Sequence, residues 1–125
     1  MFETRRLAPR IEVDGLCGVV TEGELTHAAM LDLSAIGLCI ELPHDLRATG
    51  ILQLEIELPG VDEIVWASGQ LQFAQVSPIL GVYTNGKPRR WCRAGVQIER
   101  VARRDRSMIR DYVIETRRAR QQSAA

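Results

Sequence analysis

The sequence predicts an all-β domain finished by one C-terminal α-helix. Three observations carry this. Between Ile11 and about Ile98, apolar residues alternate with polar ones in short runs, the period of a half-buried strand. Gly, Pro, Asn and Asp punctuate those runs as turns. After Arg103 the apolar period lengthens to that of a helix. At 125 residues the chain suits one domain with a single core. It divides into an arginine-rich N-terminal segment (1–10), a region of strands (11–102) and a helix (105–120).

Taken in order, "RIEVDGLCGVV" is a strand with a bulge or turn at Asp14-Gly15. "THAAMLDLS" is the next and leads into "LDLSAIGLCIEL", whose two ends alternate as a strand does. "GILQLEIELPG" alternates most cleanly: Leu52, Leu54, Ile56 and Leu58 share one face and Gln53, Glu55 and Glu57 the other, until Pro59-Gly60 ends the run. "EIVWASGQLQFAQV" is one strand, or two half-strands bent at Gly69. "AGVQIERV" places Val96 and Ile98 on one face. Between the last two, "SPILGVYTNGKPRRWCR" (77–93) is either a long loop or a hairpin turning at Asn85-Gly86, and its length favours a hairpin or a functional loop. In the final segment Met108, Ile109, Tyr112, Val113 and Thr116 fall on one helical face. Asp105 or Ser107 can cap its start, arginines suit its last turns, and "QQSAA" should fray. About six strands and a helix that covers one end fit a closed barrel or a sandwich, and periodicity alone does not choose between them.

Composition excludes several functions. Sixteen basic and sixteen acidic residues leave a formal net charge of zero, and two Tyr and two Phe offer few stacking surfaces, so a nucleic-acid-binding barrel is not expected. Cys17, Cys39 and Cys92 are odd in number and form no CxxC pair, which points to reduced, buried thiols rather than disulfides or zinc. No metal site or cofactor is expected. The N-terminus has arginines but no apolar run after them, and no stretch is apolar enough to span a bilayer, so a soluble cytoplasmic protein without membrane insertion is expected. His27 and His44 both adjoin turn-like segments, Glu55 and Glu57 lie on a solvated face, and no HExxH, GxSxG or P-loop occurs. The chain therefore offers no nucleophile and base, and catalysis is not expected.

The concentrated polar signal lies in two places. "RRLAPR" gathers Arg5, Arg6 and Arg10 where Pro9 opposes a helix and biases Ala8 toward extended geometry. Guanidinium groups suit phosphates through paired donors and stack on planar bases. In "DLSAIG", Asp32 and Ser34 are two apart and point the same way on a strand. A carboxylate can accept the N1–H and exocyclic amine of guanine, and a hydroxyl can donate or accept. The same residues would equally form an Asx or Ser turn at a strand end. Gly37 either permits close backbone approach or takes a positive φ.

Together these segments resemble the PilZ domain family, bacterial receptors for the second messenger cyclic di-GMP. The family carries an RxxxR motif near its start and a [DN]xSxxG motif some twenty residues later. Here they read "RLAPR", with Arg6 and Arg10, and "DLSAIG", with Asp32, Ser34 and Gly37, beginning 22 positions after Arg10. "GVQI", Gly95 to Ile98, is similar to the family's late "GVxF" strand, with Ile98 where an aromatic is common. The resemblance covers nearly the whole chain and implies a six-stranded antiparallel barrel with a C-terminal helix. It implies a non-catalytic cyclic di-GMP receptor in which Arg6 and Arg10 hold phosphates and stack on guanine, Asp32 and Ser34 bind a guanine edge, and Gly37 allows close approach. In this family an Arg immediately before RxxxR accompanies an intercalated ligand dimer, so Arg5 implies two nucleotides. The basic 77–93 segment departs from the family pattern and, with the N-terminal segment, is the expected surface for a protein partner. The competing expectation is an adaptor whose partner binding ignores the nucleotide.

Overall fold

The computed structural model describes residues 8–43 and 51–124. Arg5, Arg6 and His44 lie outside the described residues. Six strands close into an antiparallel barrel: β1 (Arg10–Thr21), β2 (Glu24–Ser34), β3 (Gly37–Leu42), β4 (Ile51–Glu57), β5 (Ile64–Val76) and β8 (Cys92–Val101). Around the barrel they run β1-β2-β3-β8-β5-β4, and β4 pairs back onto β1. Closure decides between barrel and sandwich, and it leaves each of the six strands with two neighbours. Two short strands, β6 (Gly81–Val82) and β7 (Pro88–Arg89), extend the β5–β8 hairpin beyond the barrel, and α1 (Arg103–Ala124) follows β8.

The alternation in "ILQLEIEL" becomes burial directly. Leu52, Leu54, Ile56 and Leu58 fill the barrel, joined by Cys17, Val19, Met30, Leu33, Ile40 and Val65. Each such aliphatic side chain contributes roughly 1.5–3 kcal/mol of transfer free energy. β5 is one continuous strand with an irregularity at Gly69. The register shifts between Ser68 and Gly69, and a β-carbon at 69 would stand 2.5 Å from the carbonyl oxygen of Gln97. The strand curves there because only glycine admits β8 so closely.

The hairpin joining β1 to β2 has a two-residue loop, Glu22-Gly23, with φ of 51° and 82°. Two positive φ values give the turn whose twist matches the flanking strands. The Asn85-Gly86 signal also marks a turn. Tyr83 N–H donates to Lys87 O, Gly86 N–H donates to Tyr83 O, and Gly86 takes a φ of 85°. Residues 77–91 thus form a hydrogen-bonded arm, tied at its root by Ser77 N–H to Trp91 O (2.8 Å) and near its tip by Tyr83 Oη to Pro43 O (3.2 Å).

Helix α1 buries Ile109 and Val113 against the barrel, with Met108 and Tyr112 packed beside them, and Tyr112 Oη donates to Pro59 O at 2.8 Å. It is longer than the 105–120 expected. It spans 22 residues, about 33 Å at 1.5 Å per residue, so the C-terminal stretch through Ser123 is helical rather than frayed. Asp105 and Ser107 lie inside the helix, so neither is its cap, though Asp105 sits in the first turn where the helix dipole favours an acid. Among the described residues no helix is long and apolar enough to cross a membrane.

Candidate functional site

"LDLSAIGLCIEL" is two strands joined by a tight turn, not one. A β-bulge in β2 decides which way its polar residues face. Met30 lies opposite Ile40 and Asp32 lies opposite Cys39, so β2 advances two residues while β3 advances one. Ala28 and Met30 point into the barrel, and strict alternation would have sent Asp32 and Ser34 inward as well. The extra residue, Leu31, reverses the phase. Leu33 then fills the core at 0% exposure and Asp32 turns outward. The bulge spares the barrel a buried carboxylate.

Ser34 ends β2 and organises the turn. Its Oγ accepts N–H groups from Ile36 (3.2 Å) and Gly37 (3.1 Å) and donates to Gly37 O (3.3 Å). The hydroxyl is 2% exposed and fully engaged in this Ser turn. Gly37 opens β3 without a positive φ. Its glycine identity reflects close approach, because a β-carbon there would stand 2.9 Å from Val96 O. Leu38 and Ile40, which share sequence parity with Asp32, face the core instead, since the turn resets the phase.

Residues directly opposite one another in a sheet share a face, so the pairing registers define rows across the barrel's outer surface. Asp32 on β2 lies opposite Cys39 on β3, Cys39 opposite Gly95 on β8, and Gly95 opposite Phe73 on β5. The next row holds Arg10 opposite Ser34, and Gly37 opposite Gln97. Gln97 Oε1 accepts from Gln72 Nε2 at 3.2 Å. On the other side of the Asp32 row, Glu41 lies opposite Arg93 and pairs with it at 3.2 Å. The described part of the expected site therefore comes together on one outer face: Arg10, Asp32, Ser34 and Gly37.

Arg10 Nε approaches Asp32 Oδ1 at 3.9 Å, with the arginine side chain 64% and the carboxylate 24% exposed. A pair this loose and wet contributes little stability, and it leaves both groups available to a ligand. Phe73 joins the site only through the sheet register. Its ring lies over Gly95 and is 47% exposed, so an aromatic face sits in the same row as a carboxylate. A phosphate-binding cation, a base-edge acceptor and a stacking surface are what a purine nucleotide requires. The signal for Phe73 was present in "QLQFAQV", where a large apolar residue interrupts a polar run.

Cys39, expected to be buried with the other two thiols, is instead partly exposed. It is half-buried between Asp32 and Gly95 rather than buried like Cys17 and Cys92. Burial raises its thiol pKa, and the Asp32 carboxylate raises it further, which slows its reaction as a thiolate. His27 is exposed and stands outside this surface. Among the described residues no group of three or more His, Cys, Asp or Glu could hold a metal ion. A surface depression of about 490 Å³ lies around the β4–β5 turn, but Asp14, Glu57, Asp62 and Glu63 line it, which is the wrong charge for phosphate.

Comparison with known proteins identifies the family and the fold. A family model described as the PilZ domain matches residues 4–115. No curated protein sequence matches. Among solved structures, the PilZ domain of YcgR from Escherichia coli with cyclic di-GMP superposes with a TM-score of 0.68 at 16% identity, covering 96% of this chain and 97% of that one. The Bacillus subtilis inhibitor of motility MotI also gives 0.68 at 16% identity, over 90% of this chain and 51% of that one. The Borreliella burgdorferi PlzA protein in complex with cyclic di-GMP gives 0.59 at 8% identity, over 95% of this chain and 55% of that one. This chain thus spans about half the length of MotI and PlzA, and at these identities the likeness is one of fold.

Proposed function

Because this chain belongs to the PilZ domain family, a family of receptor and adaptor domains rather than enzymes, we propose that it is a cyclic di-GMP receptor that transmits occupancy to a protein partner. The observation that carries the reading is the convergence of Arg10, Asp32 and the Ser34–Gly37 turn on one outer face. Arg10 would leave its loose contact with Asp32 to bind a phosphate, and Asp32 would then accept the N1–H and exocyclic amine of guanine. Ser34 would hold the turn in shape, and it contacts a base only by releasing one of its present hydrogen bonds. Phe73 would supply an aromatic face. Arg6 completes the RxxxR motif as a phosphate ligand. Arg5 beside it favours an intercalated dimer, where four phosphates reward an additional cation.

Competition between cyclic di-GMP and cyclic di-AMP tests the base-edge assignment. Adenine presents an acceptor at N1, which the Asp32 carboxylate repels, so cyclic di-AMP should fail to displace the guanine nucleotide. Equal competition by the two would overturn this assignment.

The expected partner surface comprises the N-terminal segment and the 77–93 region. The arm carries Lys87, Arg89 and Arg90 with no acidic residue, and it exposes Ile79, Leu80, Val82, Tyr83 and Trp91. Its root at Val76 and Cys92 is one residue beyond the Glu41–Arg93 row, close beside the nucleotide face. The same arm favours the second reading, an adaptor that binds its partner without nucleotide. Partner capture that is identical for the wild type with ligand and for an Arg10→Ala variant without it would select that reading.

A further inference from the structure

The Ser34–Gly37 turn is held from outside as well as from within. Ile98 N–H on β8 donates to Ile36 O at 2.8 Å. Arg106, in the first turn of α1 and 71 residues away in sequence, donates from Nη1 to Ala35 O at 2.7 Å. Both atoms are partly shielded from water, and a guanidinium donor makes this bond about twice as strong as a neutral one. Ala35 lies between Ser34, which organises the turn, and Gly37, where β3 begins. The helix therefore grips the centre of the segment that presents the nucleotide motif.

We infer that Arg106 is a positioning residue for the nucleotide site and couples its occupancy to helix α1. This inference rests on the proposed binding of cyclic di-GMP to this face. The coupling path is short and continuous. Arg106 N–H also donates to Ala102 O, which fixes the arginine in a formed helical turn. One and two turns further, Ile109 and Val113 are fully buried and Tyr112 is bonded to Pro59 O, so a displacement at Arg106 moves the helix as one body. Beyond Thr116 the helix leaves the barrel, and Arg117, Arg118 and Arg120 are exposed there. A ligand that tightens the turn strengthens the Arg106 contact, and helix docking in turn raises ligand affinity, since linkage between two sites is reciprocal.

The test compares wild type, R106M and R106K by titration with cyclic di-GMP and by amide hydrogen exchange. R106M keeps the apolar stem and removes every donor, and it should bind about 10-fold more weakly. R106K restores a charged donor without the planar fork and should recover part of that loss. Ligand should slow exchange over residues 106–113 in the wild type, and less so in R106M. Equal affinity in R106M, or a helix whose exchange ignores the ligand in wild type, overturns the inference. If R106M fails to fold, R106K carries the same comparison. A wild-type protein that does not bind overturns the functional reading itself. Positioning is then decided without ligand: faster exchange of the Ile36 and Gly37 amides in the variant sustains it, and equal rates overturn it.

Discussion

The ring of Phe73 lies across Gly95, where a β-carbon at residue 95 would stand 2.7 Å from Cδ1 and 2.9 Å from Cζ. The pair makes a flat floor between β5 and β8, in register with Cys39 and Asp32. Gly95→Ala should push the ring off this floor at modest cost to stability, because Phe73 can swing into solvent. Phe73→Ala should remove the stacking face, worth roughly 1–3 kcal/mol, or about 5- to 150-fold in affinity. Equilibrium dialysis with labelled cyclic di-GMP measures both. Undiminished binding in the two variants would remove Phe73 from the site.

Asp32 and Ser34 should separate on substitution. Asp32→Asn keeps shape and removes the charge of a partly exposed carboxylate, so thermal stability should hold while affinity falls by roughly 10- to 100-fold, the scale of a lost charge-assisted contact. Ser34→Ala leaves the Ile36 and Gly37 amides without their acceptor, costing about 1–3 kcal/mol of stability and weakening binding as a consequence. Thermal melts beside dialysis distinguish them. A large melting shift in Asp32→Asn would give Asp32 a structural role instead.

The thiols predict an alkaline response. Burial pushes Cys17 from 9.0 up to about 12, with smaller opposing and reinforcing effects from Glu55 and Glu57. A pKa raised by folding means the native state holds its proton longer than the unfolded chain does. The stabilising contribution is complete below about pH 9 and is lost as pH rises towards 12. Denaturant melts should therefore show stability independent of Cys17 ionisation near neutrality and a decline above pH 9 that is smaller in Cys17→Ala. Cys39, half-exposed on the proposed nucleotide face, should alkylate slowly at pH 8, and more slowly still with ligand bound. Cys39 labelling that ignores ligand would contradict the site's position.

Glu22 occupies a left-handed conformation at φ 51° ahead of Gly23. Asn tolerates that region better than Glu does and is favoured at this position of the turn. Glu22→Asn should raise stability by about 0.5–1 kcal/mol, read from denaturant midpoints, with binding unchanged because the hairpin lies at the far end of β1 from Arg10.

Much of this was legible in the sequence because it rests on local rules. The leucines of "LQLEIEL" had to share a face, and Asn85-Gly86 and Gly69 offered a turn and a bend among the possible readings. What escaped is set by pairing between distant strands. "AAMLDLS" does not announce that Leu31 is an extra residue, since a bulge is defined by the partner strand; yet that bulge alone turns Asp32 outward. Phe73 and Gly95 are 22 positions apart, and only the β5–β8 register stacks one on the other. Arg106 carries no signal of its own in the sequence, because its partner is a backbone carbonyl. The helix ran on through Ser123 because Glu, Arg, Ala and Gln all favour helix, and that propensity outweighed the polar look of the tail.

The face built by Arg10, Asp32 and the Ser34–Gly37 turn is proposed as a receptor site for cyclic di-GMP. An isothermal titration of the intact chain tests it most directly. The account predicts saturable binding at micromolar or tighter affinity, close to two nucleotides per protein, with the heat largely abolished in Arg10→Ala. A ratio of one would correct the role given to Arg5, and no heat at ligand concentrations well above micromolar would contradict the account.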